Sequence, residues 1–313
     1  METETAATLS NGSTDPSRLQ YVLITPARNE EAFIELTIQS VVSQTVRPLK
    51  WIIVSDGSTD RTDEIVRTHA AQHGWIELLR MPERRERHFA GKVTAFKAGQ
   101  DRVKDLDYDV IGNLDADISF EPEYFAFLMG KFAENPRLGV GGTPFREGSQ
   151  QYDYRVTSIE HVSGACQLFR RRCFEEIGGY VPIKGGGIDL VAVLTARMKG
   201  WQTRTFLEKT CEHHRLMGTA GQGKLASLLK GGGRDYRLGV HPVWQVLRSC
   251  YQMSRKPLVL GGCSLLAGFF WAMLTQEERP VPKEFVRFRR REQMDRLKQH
   301  VRKVFAFTGG NGQ

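Results

Sequence analysis

Two aspartates one residue apart, Asp115 and Asp117, directly follow the apolar run Val110–Leu114. The run predicts a buried strand, and residues i and i+2 of an extended backbone point to the same side. Two carboxylates that face one point repel each other unless a cation or a proton joins them. A divalent ion bound by one or two carboxylates and by substrate phosphates would do so. The spacing alone leaves a solvated, Asp-containing turn as the alternative.

The elements that would position this pair alternate between strands and helices. Apolar runs predict strands at 21–24 (ended by Pro26), 51–54, 76–79 and 110–114, and helical spacing predicts helices at 31–44, 60–73 (with Asp60 as N-cap) and 92–104. The alternation predicts an α/β fold with a mostly parallel sheet and helices on both faces. Ligands of such sheets bind at the carboxyl ends of the strands. Residues 26–30, Asp56 and the Asp115–Asp117 pair all fall there.

Asp56 lies in the sequence Ser-Asp-Gly-Ser-Thr-Asp at 55–60. Its carboxylate could accept hydrogen bonds from a base or a ribose hydroxyl, and Gly57 would let a ligand approach the backbone. The same residues also form a good turn, which is the alternative. The first strand is not followed by a G-x-G-x-x-G sequence, which counts against a dinucleotide site.

Composition excludes several classes of protein. The 313 residues are 40% hydrophobic and 26% charged, enough for one large domain or for one domain with an appendage. The net charge is +8, but residues 280–313 hold nine Lys or Arg and three Asp or Glu, so an evenly basic nucleic-acid binder is not indicated. Five scattered cysteines without a C-x-x-C pair favour a reducing compartment over a disulfide framework or zinc site. Residues 1–17 are polar, without a signal-peptide core, and are predicted to be a disordered leader of a cytoplasmic enzyme.

Four motifs together resemble a family 2 glycosyltransferase with the GT-A fold. They are Thr-Pro-Ala-Arg-Asn-Glu-Glu at 25–31, Val-Ser-Asp-Gly-Ser-Thr-Asp at 54–60, Gly91-Lys92 and Asp115-Ala116-Asp117. The resemblance covers about residues 18–215. It implies transfer of a sugar from a nucleotide diphosphate sugar, with bound Mn²⁺ or Mg²⁺ neutralising the leaving group.

The resemblance also assigns residues to the donor site. It implies that Asp117 binds the metal and that Asp115 lies near both the ribose and the metal. It implies a nucleotide-sugar site formed by Pro26, Arg28, Asn29, Glu30, Asp56, Lys92 and Asp115. Lys92 is expected beside the diphosphate or Asp115, and an exposed lysine at a helix start is its alternative.

Two further positions match the family in part. The family usually has a Glu-Asp pair before a helix, and here Ile188-Asp189 stands in that place, so Asp189 is the expected base and a helix N-cap is its alternative. A third metal ligand is expected at His213, chosen over His214 because the family has a His-x-Arg pattern ending at Arg215. The Gln-x-x-Arg-Trp motif of processive synthases is not found, which favours a single transfer.

The C-terminal region, 241–313, is predicted to be helical and separate from a GT-A domain at 18–240. Leu258–Leu274 is seventeen residues without a charge, at the short limit for crossing a bilayer. Residues 285–307 predict a basic amphipathic helix on anionic lipid, with Met294, Leu297, Val301 and Val304 on one face. A buried helix followed by a solvated charged helix is the alternative. The glycine run 231–233 predicts a loop or hinge.

These observations predict an inverting, metal-dependent, non-processive glycosyltransferase at the cytoplasmic face of a membrane. The acceptor is expected to be lipid-linked or a glycan, and no nucleic-acid partner is expected. Two alternatives stay open: a sugar nucleotidyltransferase, which would normally show a Gly-rich, Arg/Lys-containing loop after the first strand, and a non-catalytic sugar-nucleotide-binding subunit. The sequence does not indicate the base, the sugar or the acceptor, because these depend on pocket contacts.

Overall fold

The computed structural model describes residues 19–82, 89–148, 150–151, 158–183, 185–215 and 223–309. The predicted leader, residues 1–17, lies outside this part of the chain. The strands are β1 Tyr21–Ala27, β2 Lys50–Ser55, β3 Ile76–Arg80, β4 Val110–Leu114, β5 Ile118–Ser119, β6 Leu138–Gly142, β7 Phe145–Glu147, β8 Gln150–Gln151, β9 Cys166–Arg170, β10 Gln202–Thr205 and β11 Cys211–His213. The helices are α1 Ile34–Val42, α2 Thr62–Gln72, α3 Phe89–Val103, α4 Tyr124–Glu134, α5 Arg171–Glu176, α6 Ile188–Met198, α7 Lys224–Arg237, α8 Pro242–Met253, α9 Leu258–Leu274 and α10 Lys283–Gly309.

The main sheet has seven strands in the order β10-β6-β9-β4-β1-β2-β3. Within the described residues β9 is the one strand that runs antiparallel to its neighbours β4 and β6. The strand β1 lies between β2 and β4 in parallel register. The predicted α/β fold with a mostly parallel sheet is therefore confirmed. A smaller sheet, in the order β5-β11-β7-β8, lies beyond the end of β4.

Apolar residues fill both faces of the main sheet because side chains alternate along each strand. Tyr21 and Leu23 belong to the core on one face, which also receives Ile34, Ile38 and Val41 of α1. Val22 and Ile24 belong to the core on the other face, which receives Ala95 and Phe96 of α3. Each face is thus closed by helices, as the alternating pattern predicts.

Two element boundaries differ from the sequence prediction. The strand β1 does not end before Pro26: it continues to Ala27, because the φ of proline suits an extended backbone and Pro26 still pairs in register with Val54. The helix α2 begins at Thr62 with Arg61 as its N-cap, so Asp60 is not the capping residue. Asp60 Oδ1 nevertheless accepts a hydrogen bond from the Thr62 backbone N–H at 3.0 Å, which satisfies one donor of the first turn.

The prediction of a loop or hinge at 231–233 is wrong, because the three glycines lie inside the helix α7. These glycines lie where the helix packs closely against a neighbouring helix, and they do not form a turn. A Cβ on Gly232 would lie 2.0 Å from the backbone oxygen of Leu265 in α9, and one on Gly268 of α9 would clash in the same way with the backbone oxygen of Leu229. The backbones of α7 and α9 therefore touch directly.

The predicted basic helix at 285–307 is confirmed as the helix α10. The first turn of α10 packs against the rest of the protein, since Phe285 and Val286 are buried in a cluster with Ile188 and Leu238. Along the predicted apolar face, Met294 and Leu297 are half-buried and Val301 is exposed, whereas the Val304 side chain lies outside the described residues. Across the described ranges, every helix is too short or too polar to cross a bilayer.

Candidate active site

The loops after β1 and β2 are tied to each other at the carboxyl edge of the sheet. Asn29 has a left-handed backbone, with a φ of 56°, and its backbone N–H donates to Ser58 Oγ at 3.2 Å. Its Oδ1 accepts from the Thr59 backbone N–H at 2.9 Å. Asp56 is buried, and its backbone N–H donates to the Ala27 oxygen at 2.8 Å. The residues predicted to bind the nucleotide at 26–30 and at 56 therefore lie side by side.

Lys92 is the central cation of the site. It lies in the first turns of α3, and its Nζ is 2.5 Å from Asp115 Oδ1 at the end of β4. Burial alone would lower the pKa of Lys92, but the charge of Asp115 and the hydrogen bond to it outweigh burial. Asp189 and Asp117 contribute in the same direction, so the pKa of Lys92 is raised and the ammonium form is stabilised.

Asp117 faces two cationic or titratable partners from the end of β11. The pairing of β11 with β5 sets His213 opposite Ile118, and His213 Nε2 is 3.5 Å from Asp117 Oδ1. Arg215 Nε is 3.4 Å from Asp117 Oδ2, and Arg215 also forms an ion pair with Glu30. Burial raises the pKa of Asp117 and Asp115 adds to this, whereas His213 and Arg215 act in the opposite sense, with a net raised pKa.

The two adjacent histidines have different surroundings. His213 Nδ1 lies 3.3 Å from Glu147 Oε1 on β7, and its ring packs on Phe145. His214 Nε2 lies 2.8 Å from Ser119 Oγ, and its ring stacks on Phe33. The imidazole of His213, and not that of His214, lies beside Asp117. His213 is the histidine that the sequence predicts as the ligand.

The donor atoms of Asp117 and His213 fit a divalent ion, because Mn²⁺ accepts both carboxylate oxygen and imidazole nitrogen. Within the described part of the chain, no three His, Cys, Asp or Glu side chains lie close enough to hold a metal ion together. Asp115, Asp117 and His213 therefore do not converge as a three-residue set here, and Asp115 is instead paired with Lys92. An ion bound with a nucleotide commonly takes only one or two protein carboxylates, because phosphate oxygens complete its coordination.

Asp189 lies in the first turn of α6 and not at its N-cap, which is Gly187 with a φ of 94°. Its side chain packs on the backbone of Gly164, where an added Cβ would be 3.0 Å from Asp189 Cβ and 3.3 Å from Asp189 Oδ2. Asn113 Nδ2 donates to the Gly164 oxygen at 2.7 Å and lies 3.4 Å from Asp115 Oδ1. One chain of contacts therefore links Asp189 to the strand that carries Asp115.

Ile188 stands where the family usually has Glu. It is buried with Val191, Leu238 and Phe285 in the cluster between α6 and α10. Position 188 therefore packs α6 against the C-terminal helices, and a charged side chain there would lie in apolar surroundings.

Three contributors to the site were not predicted as site residues from the sequence. Arg215 had a signal, the last position of His-x-Arg, but its contact with Asp117 depends on the small sheet. No sequence signal pointed to Glu147 or Gly164. Glu147 reaches the site through a strand pairing and Gly164 through a close approach of its backbone, and local sequence encodes neither.

Solved structures share this fold. The mannosyltransferase PcManGT from Pyrobaculum calidifontis, solved with GDP-Man and Mn²⁺, superposes with a TM-score of 0.58 at 18% identity, over 86% of this chain and 79% of that one. Residues 1–349 of S. aureus TarS superpose with a TM-score of 0.53 at 12% identity, over 83% of this chain and 73% of that one. The fold is that of the GT-A glycosyltransferases.

The sequence matches assign the family. A family model described as "Glycosyl transferase family 2" matches residues 22–183, just over half of the chain. The chain belongs to this family. Curated relatives include poly-beta-1,6-N-acetyl-D-glucosamine synthases from Staphylococcus epidermidis, 25% identical over 48% of this chain, and from Staphylococcus aureus strain COL, 28% identical over 43%. The aligned part spans 39% and 31% of these relatives' own lengths.

Proposed function

We propose that the chain is an inverting glycosyltransferase in which Asp189 takes the proton of the acceptor hydroxyl. The observation that carries the proposal is the position of Asp189 on the Gly164 backbone, in a contact chain with Asp115, at the edge where the donor loops meet. A direct displacement needs a base on one side of the transferred sugar and a cation-lined site for the diphosphate on the other.

The reaction would proceed as a single displacement. The acceptor oxygen bonds to the anomeric carbon while the bond from that carbon to the diphosphate oxygen breaks. The hydroxyl proton passes to a carboxylate oxygen of Asp189, and the electron pair of the broken bond leaves with the nucleoside diphosphate. Attack from the face opposite the leaving group inverts the anomeric configuration.

A divalent ion fits this proposal at Asp117 and His213, with Asp115 near it. When bound, it supplies positive charge that stabilises the departing diphosphate. Lys92 supplies a fixed positive charge at the same edge, because its ammonium form is stabilised by Asp115. Asn29 and Asp56 form the wall expected to contact the nucleotide.

We propose two donors, the better supported one first, and then the class of acceptor. The curated relatives are N-acetylglucosamine polymer synthases, and TarS has been solved with UDP-GlcNAc, so UDP-N-acetylglucosamine is the first donor to test. GDP-mannose is the second, since PcManGT was solved with it. The acceptor is proposed to be a glycan or a lipid-linked saccharide, and the transfer to be single.

The test is a donor screen that measures release of UDP, GDP and other nucleoside diphosphates with Mn²⁺ or Mg²⁺, with and without a lipid extract. Release that falls about 10³-fold in Asp189→Asn, with donor binding by calorimetry unchanged, supports the proposal. Release of pyrophosphate from a sugar phosphate and a nucleoside triphosphate would instead indicate a nucleotidyltransferase. Donor binding without turnover, equal in wild type and Asp189→Asn, would indicate a binding subunit.

A further inference from the structure

The helix α9 has one face in the protein and one in solvent, and both are apolar. Its buried residues are Gly261, Gly262, Leu265, Gly268, Phe269 and Ala272, which pack on α7 and α8. The opposite face, at steps of three or four residues, consists of Leu260, Cys263, Ala267, Trp271 and Leu274. Leu260 is 65% exposed, Trp271 68% and Leu274 77%. The seventeen residues of α9 include no charged side chain. Its outward face is therefore an exposed apolar surface of the kind that marks an interaction site.

The neighbouring helices add further exposed apolar side chains. In α7, Leu225 and Leu229 are exposed one turn apart, next to the contact of α7 with α9. In α8 the exposed apolar side chains recur along one side: they are Val243, Val246, Leu247 and Tyr251. We call the outward residues of α9 together with these six the apolar face.

Basic residues outnumber acidic ones around the apolar face. The segment 223–278, which runs from α7 to just past α9, has seven Lys or Arg residues and three acids, Asp235, Glu277 and Glu278. Asp235 is buried and paired with Arg248 at 2.5 Å. Glu277 is paired with Arg237 at 2.6 Å, so both of these acids are neutralised by arginines. Lys224 at the start of α7 and Lys256 just before α9 are both exposed.

We propose that the apolar face is a docking surface for an anionic lipid bilayer, into whose headgroup region α9 lies flat. An uncharged helix face flanked by Lys and Arg matches the apolar and negatively charged layers of such a membrane. Trp271, at the exposed end of α9, is of the residue type that favours the boundary between lipid and water. A second copy of the chain would bring two positive rims together, which disfavours it as the occupant.

The packing of α7 relates the apolar face to Asp189. Leu238, the residue after α7, contacts the position of Gly187, where an added Cβ would lie 2.7 Å from Leu238 Cδ1. Gly232, which touches Leu265 of α9, is six residues earlier, or about 9 Å along the helix axis. The packing thus connects α9 through α7 to the residue that caps α6, so docking of α9 would hold the site near the membrane, which favours a lipid-linked acceptor. This consequence rests on the proposed function, whereas the docking itself does not.

The experiment is flotation of the full chain with vesicles of phosphatidylcholine alone and with 30% phosphatidylglycerol, in the absence of any donor. We expect binding to the anionic vesicles, and a loss of at least about tenfold in the partition coefficient for Leu260→Glu and Trp271→Glu. Leu207→Glu is the matched control, since Leu207 is 52% exposed on the catalytic domain, and should bind within twofold of wild type. All three positions are exposed, so thermal melting should be unchanged.

A second measurement reports depth directly. In a Cys250→Ser background, an environment-sensitive dye on the exposed Cys263 should shift its emission to the blue when anionic vesicles are added. Flotation of both glutamate variants equal to wild type, or no shift at Cys263, would overturn the proposal. So would a dimer that binds no vesicles and dissociates in Leu260→Glu. Vesicle binding without any nucleoside diphosphate release would leave the docking intact and contradict only the proposed function.

Discussion

The ammonium group of Lys92 lies 2.5 Å from Asp115 Oδ1 and is attracted by the carboxylates of Asp117 and Asp189. Three acids at the end of β4 and the start of α6 thus lie within electrostatic reach of one lysine on α3, a helix that packs on the same face of the sheet as α6. Such a cation lets acids remain charged near one another without a bound ion. It also leaves a fixed positive charge where a diphosphate would bind.

Replacement of Lys92 by methionine should reduce turnover by about 10²-fold, because it removes a preorganised charge from the leaving-group side while keeping the aliphatic stem. The measurement is kcat and KM for nucleoside diphosphate release, together with donor affinity by calorimetry. Lys97→Met on the same helix is the control, since Lys97 is exposed and should leave both constants unchanged. A Lys92→Met rate within twofold of wild type would remove Lys92 from the site.

Gly164→Ala should lower kcat about tenfold without a comparable change in donor KM. The new methyl group would lie 3.0 Å from Asp189 Cβ, so the carboxylate must shift by a few tenths of an ångström, and catalysis is sensitive to such displacements. Gly74→Ala is the matched control because a Cβ at Gly74 meets nothing within 4 Å. Equal kcat values for the two variants would show that Gly164 does not position Asp189.

Asp117→Asn and His213→Ala should each weaken Mn²⁺ binding in the presence of nucleoside diphosphate, by about 10- to 100-fold. The physical reason is loss of one of the two facing donor atoms, which are 3.5 Å apart. Calorimetry and the electron paramagnetic resonance signal of free Mn²⁺ measure this without activity. His214→Ala is the control, since that ring lies at Ser119, and a larger loss there than in His213→Ala would reverse the assignment.

Gly232→Ala should destabilise the protein by about 1–3 kcal/mol or more, because its Cβ would collide with the Leu265 backbone oxygen at 2.0 Å and force α7 and α9 apart. Gly231→Ala, one residue earlier, should instead be neutral or stabilising by up to about 1 kcal/mol, since its nearest contact is an ordinary 3.6 Å. Urea unfolding of both variants measures the difference. Equal destabilisation would contradict direct backbone contact of the two helices.

The five free cysteines should separate into two classes on labelling. Burial raises the pKa of Cys173 and of Cys211 to about 12 and raises that of Cys166 as well, so these thiols remain protonated and shielded at pH 8. Cys250 and Cys263 are exposed. We therefore expect two thiols to react quickly with a thiol reagent in the native protein and all five in urea, as counted by mass spectrometry.

The grouping of the candidate donor-site residues could be predicted from sequence because these residues follow directly on strands whose period and order are local properties. Once β1, β2 and β4 are placed in parallel, Asn29, Asp56 and Asp115 must meet at one edge. The parallel pairing of these strands brings the residues that follow them together. No contact between distant parts of the chain has to be known to predict this.

The remaining features depend on contacts that no local pattern encodes. The glycines at 231–233 predict a break by propensity, but the contact with α9 overrides it and keeps them helical. Glu147 reaches His213 only because β7 pairs with β11, which is far along the chain. The apolar surroundings of Ile188 become visible only when α10 is in place.

The reversed strand β9 has a consequence for how such chains diverge. The strand β6 leaves the sheet at the edge that carries the site, and β9 enters at the same edge, so the excursion from Thr143 to Ala165 begins and ends there. Glu147 and Gly164 both belong to it. Insertions or deletions in this excursion would leave every strand of the seven-stranded sheet with its neighbours. Changes next to Gly164 would therefore alter the surroundings of Asp189 without rebuilding the main sheet.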